Sequence, residues 1–237
     1  MSLTLSSIAA GLLTGALVTG VPSPAPTTAT PVPGHRFTHP RANPYFPLRP
    51  GTRTVLLGTD DGRRFREVVT VTGRHRRIDG VRTTVVRDVV RRADGSLAER
   101  TVDWYAADDR GTVWYFGERT ATFDREGHLD SRDGSWRAGL HGARPGIVMP
   151  AHPHPGQAYR QELLPGHAED QAWIVSREDS VAVPLGRVRH VVRSYEWSRL
   201  EPGVMSVKLY GRGIGILREH DIAGGAETFE VVRVRRP

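Results

Sequence analysis

The chain is predicted to be all-β, a large curved antiparallel sheet or incomplete barrel with a Pro/Gly-rich covering loop. Three observations carry this. Segments rich in Val, Thr and aromatic residues alternate apolar and polar positions, which puts successive side chains on opposite faces of a strand. Asp-Gly pairs at 61–62, 79–80 and 94–95 separate these segments, as tight hairpin turns require. Helical periodicity is nearly absent from Thr52 onward, 168–175 being the one weak candidate.

In the first half, strands are expected over 66–72, 81–91, 98–106 and 112–123. Further turns fall at Arg110-Gly111 and Glu126-Gly127. Turns this far apart imply long strands and a broad, twisted sheet that must cover or close its inner face. Alternation assigns the faces: Val102 and Trp104 oppose Asp103 and Tyr105, and Val113 and Tyr115 oppose Trp114 and Phe116. The strand pattern resumes at 171–176, 180–184, 189–198, 204–210, 214–220 and 228–234.

Ahead of the sheet lie two segments of different character. Residues 1–21 are apolar and small, and read as a secretory signal or an N-terminal anchor; residues 22–42 are a Pro/Thr/Ala-rich linker. The single β domain is expected over 43–237, opening on Asn43 and Pro44, with Tyr45, Phe46 and Leu48 as apolar anchors lying across a mouth or edge of the sheet. The expected location is secreted or extracytoplasmic, with membrane anchoring through the apolar segment as the alternative.

Composition excludes several classes. The 237 residues include no cysteine, so a disulfide framework, a thiolate metal site and a cysteine nucleophile are all ruled out. The net charge of +7 rests on arginine, Lys208 being the only lysine. The arginines are scattered through strands and turns without the clustered basic stripe of a nucleic-acid module, so no nucleic-acid partner is expected. No nucleophile elbow, phosphate-binding loop or dinucleotide fingerprint occurs.

Residues 133–173 depart from the strand pattern. They hold four of the ten histidines, His141, His152, His154 and His167, among prolines and glycines, together with Glu162, Glu169 and Asp170. Gly146 and the His152-Pro153-His154 run match the opening of the cupin metal signature, in which two histidines share one strand face. Glu162 then falls too far along to complete it, and the prolines suit an exposed turn. His152 and His154 are nonetheless the candidate ligands, for zinc or copper, although no cofactor is expected. A turn around Pro165-Gly166 would bring Arg160, Glu162 and the Glu169-Asp170 pair together, an arrangement that suits acid–base chemistry.

Segments beginning at Asn43, Asp103, Gly134, Tyr159 and Leu200 together resemble a family of functionally uncharacterised exported bacterial all-β proteins, secreted or of lipoprotein type. The resemblance implies a half-barrel fold of the kind that cradles lipids. This chain departs from it in lacking a lipidation cysteine.

The reading that follows is an exported binding protein for an apolar or amphipathic small molecule or lipid. The expected ligand-binding residues are Trp104, Trp114, Tyr115, Trp136, Tyr159, Arg160, Glu162 and Trp197, aromatics for the apolar body and Arg160 and Glu162 for a polar head. Two other readings stand beside it. One is a metal-dependent or carboxylate-based enzyme at 146–170. The other is an envelope-interaction or structural protein whose arginines meet an anionic wall polymer or membrane surface.

Overall fold

Asp61 and Gly62 have φ of 47° and 72°, and Asp79 and Gly80 have φ of 46° and 80°, the left-handed pair that a two-residue hairpin turn demands. The sequence expectation is therefore met at the first two turns, which join β1 (Arg53–Asp60) to β2 (Arg63–Ile78) and β2 to β3 (Val81–Arg92). The structure, a computed structural model, describes residues 32–237. The segment 1–21 and the first part of the linker lie outside the described residues.

The meander continues through β4 (Leu97–Ala107) and β5 (Val113–Arg119), then the short β6 (Thr122–Phe123), β7 (Leu129–Ser131), β8 (Trp136–Arg137), β9 (Arg144–Met149), β10 (Ala158–Arg160) and β11 (Glu162–Leu163). Long strands return with β12 (Asp170–Val183), β13 (Gly186–Ser198), β14 (Met205–Gly211), β15 (Gly215–Ala223) and β16 (Thr228–Arg235). All are antiparallel in one sheet, whose order is β10-β12-β13-β14-β15-β16-β1-β2-β3-β4-β5-β9-β11. β1, which alternation did not single out, is a full strand between β16 and β2. The helical candidate at 168–175 is instead the start of β12, because residues 170–174 find ladder partners on β13.

The two ends of that order are consecutive in sequence, and this makes the sheet a nearly closed barrel. Residues 158–163 run as one strand split at Gln161: its first half pairs with β12 and its second with β9. At the split, the Gln161 backbone N–H donates to the Asp170 carbonyl at 2.7 Å. The Pro/Gly-rich central stretch therefore supplies the closing strands β8 to β11 as well as loops. Gly146 on β9 is what permits the closure: a Cβ there would sit 2.1 Å from the Gln161 carbonyl oxygen.

Covering is done largely by the N-terminal strap. Val32 and Phe37, in the segment ahead of Asn43, pack with the aromatic side chains of β5 and form this strap. Phe37 meets Phe116 edge-on, and His35 packs against Trp114 while its ring Nδ1 lies 2.6 Å from an Asp108 carboxylate oxygen. Asn43 then pins the chain where it crosses the barrel mouth, donating to the carbonyls of Gly111 and Pro150 and accepting from the Tyr45 and Phe46 amides. A second apolar cluster, which includes Val181, Val191, Leu217 and Val231, lies where the far half of the β12–β13 hairpin meets β15 and β16.

Closure yields the first prediction. Gly146→Val should part β9 from Gln161, cost about 3 kcal/mol and lower the thermal midpoint by roughly 6–12 °C. Gly73→Ala, at a position open on all sides, should leave the melt unchanged. Thermal unfolding followed by circular dichroism reads both.

Candidate functional site

Alternation along β2 to β5 sends one residue in two toward the barrel interior, and many of the inward residues are acids. Glu67 on β2, Asp88 on β3, Glu99 and Asp103 on β4 and Glu118 on β5 line one wall of a chamber of about 170 Å³. Glu162 on β11, Asp170 on β12, Glu196 on β13, Glu219 on β15 and Glu227 before β16 line the other. Ten carboxyl groups thus share the chamber with one cation, Lys208 on β14, the only lysine of the chain. A space of this size holds on the order of ten water molecules.

Register explains how the acids meet. Asp103 faces Glu118 across β4 and β5, and Asp88 faces Thr101 across β3 and β4. On β5 a bulge at Gly117, with φ of 120°, turns both Tyr115 and Glu118 inward. The Tyr115 hydroxyl lies 2.8 Å from Asp103 and 3.0 Å from Glu118. A hydroxyl has one proton to give, so when it donates to one carboxylate the other must carry a proton and donate to it. Tyr105 stacks on Tyr115, with ring centroids 4.6 Å apart.

On the opposite wall, Glu196 has its acceptor positions filled. Ser194 and Tyr210 donate to one oxygen at 2.7 and 3.0 Å, and Gln161 donates to the other at 3.0 Å. The Lys208 ammonium lies 3.3 Å from Glu196 and 3.1 Å from Glu219. Burial alone would pull that ammonium down, but the two carboxylates more than reverse it and raise its pKa well above the ordinary range. Lys208 is therefore a fixed positive charge.

Burial pushes seven of the acids up. Glu99 rises to about 8 through desolvation and the nearby Asp88 charge, and Asp103 to about 7 for the same two reasons. Asp170 rises to about 7 by desolvation, opposed by a Ser198 hydrogen bond. Glu67, Glu118 and Glu162 are driven well above the usual carboxylate range, by desolvation first and by neighbouring acids second. The Trp136 indole N–H opposes part of the rise at Glu162 without closing a full hydrogen bond. The chamber therefore exchanges protons near neutral pH.

A second, smaller cavity of about 80 Å³ adjoins it at the mouth, lined by Phe46, Leu48, Leu56, Val71, Ile214 and Ile216. Phe46, Glu67, Val69, Val86 and Ile216 border both spaces, so the strap stands over an apolar vestibule that leads to an acidic interior.

The residues expected to bind ligand separate in this geometry. Tyr115 and Glu162 line the chamber. Tyr159 is half-buried with its hydroxyl 3.5 Å from the Val148 carbonyl, and Arg160 is exposed on β10. Trp104 lies on the opposite face of β4 beneath the Arg76 guanidinium, 4.7 Å from its ring centroid. Trp114 packs under the strap and donates to Asp108 at 3.1 Å, and Trp197 is half-buried on the strand face opposite Glu196. Trp136 packs edge-on against Tyr115 and borders an open groove with Arg76, Arg119 and Arg137. His152 and His154 are exposed in the turn before β10, and among the described residues no three His, Cys, Asp or Glu groups come together in a way that could hold a metal ion. The Glu169-Asp170 pair splits: Glu169 caps the 166 turn by accepting from the Gly166 amide, while Asp170 joins the chamber wall.

Most of the chamber acids escaped sequence reading because an acid alternating with valine looks like the wet face of a strand. The available signals were the lone lysine at the centre of a strand and the opposition of Asp103 to Trp104.

The fold and site together define a nearly closed antiparallel barrel with an acidic interior. No family model matches the chain, and no curated protein matches it. Two solved structures are similar, each over 82% of this chain and 100% of its own length. One, from Bacteroides fragilis, is named as an exported protein with a YmcC-like fold, at 13% identity and a TM-score of 0.48. The other, from Parabacteroides distasonis, is named as a lipoprotein, at 10% identity and a TM-score of 0.44.

Two predictions test the electrostatics. Acids raised in the folded state bind more protons than in the unfolded chain, so stability is full below about pH 4 and is lost as pH rises through the folded values near 7 and 8. The thermal midpoint should fall by several degrees between pH 5 and pH 8.5, and Glu99→Gln should flatten that slope. Lys208→Met should cost about 3 kcal/mol at pH 8, by removing the ammonium that bridges Glu196 and Glu219. Denaturant titration of the variant beside the parent measures it.

Proposed function

We propose that the chain is an extracytoplasmic binding protein whose chamber receives a compact amphipathic organic cation. A protonated amine or amidine would sit among the carboxyls, and its apolar part would extend into the vestibule under Phe46. The observation that carries this reading is the ring of ten acids opposed by one lysine inside the barrel.

The physical argument runs through the cost of burial. Carboxylates in a closed, low-dielectric space repel one another and remain partly protonated unless a cation joins them. Because the acids are spread around the walls, they suit a ligand with several donors better than a point ion. A purely apolar guest would bring no donor to the carboxyls it meets and would gain little. The aromatic contribution comes from Phe46, Tyr105 and Tyr115, and a full lipid chain exceeds the space unless the strap moves. The apolar 1–21 segment supports export as the route to that location.

Calorimetric titration with phenethylamine, phenylethanol and phenylacetate at pH 8 tests the charge requirement. The amine should bind with proton release, seen as a buffer-dependent enthalpy, and should weaken about tenfold for each pH unit below 7. Asp103→Asn should weaken it at least about tenfold at pH 8. Equal binding of all three compounds, or an unaffected Asp103→Asn variant, would overturn the reading.

A further inference from the structure

Sequestering the acids leaves the exterior strongly cationic. Once the ten carboxyls and the lysine of the chamber are set aside, 32 arginines face 16 acids. The imbalance is concentrated on the outer face of β16, β1, β2 and β3, four neighbouring strands. There Arg53 stands directly opposite Arg235, and Arg66 directly opposite Arg91, with Arg233 and Arg87 on the same face. All six are exposed, and among the described residues none forms an ion pair. The one carboxylate on this face, Glu230, is held by Arg218 at 2.6 Å. Like charges directly opposed across a ladder are unfavourable, so this face is arranged at a cost to the free fold. Leu57, 49% exposed, lies opposite Arg66.

We propose that this face docks on an anionic phospholipid membrane surface. The charges extend in two dimensions over a convex wall, about 14 Å across the strands, as a planar surface would require. Arginine suits the phosphate oxygens of headgroups because its planar fork donates two parallel hydrogen bonds. Leu57, at the centre, is placed to enter the interfacial layer. This proposal is independent of what the chamber binds.

The test uses residues 32–237, which contain every described strand and the N-terminal strap. Vesicles of phosphatidylcholine with about one third phosphatidylglycerol should bind the protein in a flotation assay, pure phosphatidylcholine should not, and high salt should release it. The Arg53→Gln, Arg66→Gln, Arg91→Gln, Arg235→Gln variant should lose at least about tenfold in vesicle affinity and melt no lower than the parent. A control with the same charge loss on the far side of the barrel and its loops, Arg125→Gln, Arg132→Gln, Arg144→Gln, Arg160→Gln, should lose no more than about threefold. Equal losses in the two variants, or absence of binding to the anionic vesicles, would overturn the proposal. Displacement from vesicles by soluble polygalacturonate at matched charge would also overturn it and assign the face to an anionic polymer.

Discussion

Everything distinctive about this protein depends on the seam at Gln161. A strand that pairs with β12 by one half and β9 by the other turns an open sheet into a nearly closed wall. An open sheet would leave Glu99, Asp103 and Glu118 in water with ordinary acidities. Closure removes the water that would screen them, and their mutual repulsion and desolvation then raise their pKa values together. The seam demands little of the sequence beyond one position, Gly146, where two backbones come too close for any side chain.

The closed wall also explains why a basic protein has an acidic interior. Lys208 is tied to both Glu196 and Glu219, and Glu196 in turn gathers Ser194, Tyr210 and Gln161, so three strands and the seam are joined by one polar network. Asp103 and Glu118 instead meet through the Tyr115 hydroxyl, and Glu99 accepts from Thr101. Desolvation raises the acids' pKa values together, which makes the interior responsive to pH. The outward arginines face the opposite condition, with water but few acids to answer them.

Much of the fold was legible from local chemistry. Asp-Gly turns set the first hairpins because positive φ is cheap for those residues, and the alternation that opposes Asp103 to Trp104 is observed. The site was less legible because apolar character was a misleading guide to the inside of the barrel. Trp104 and Trp114 are buried on the outer face, under Arg76 and the N-terminal strap, while acids and tyrosines point inward. Where the outer side is covered, as over β4 and β5, both faces of a strand are buried, so hydrophobicity no longer distinguishes lumen from wall.

By itself, then, the sequence determined the β class, most strand positions, the turns and the two-face pattern of each strand, since these follow from interactions between residues near one another along the chain. Only the tertiary structure decided which face became the interior, that residues 158–163 close the sheet, and that acids from eight strands and the β15–β16 turn converge on Lys208. Those outcomes depend on register between segments far apart in sequence, and on the loss of solvent that closure brings, neither of which any single strand encodes.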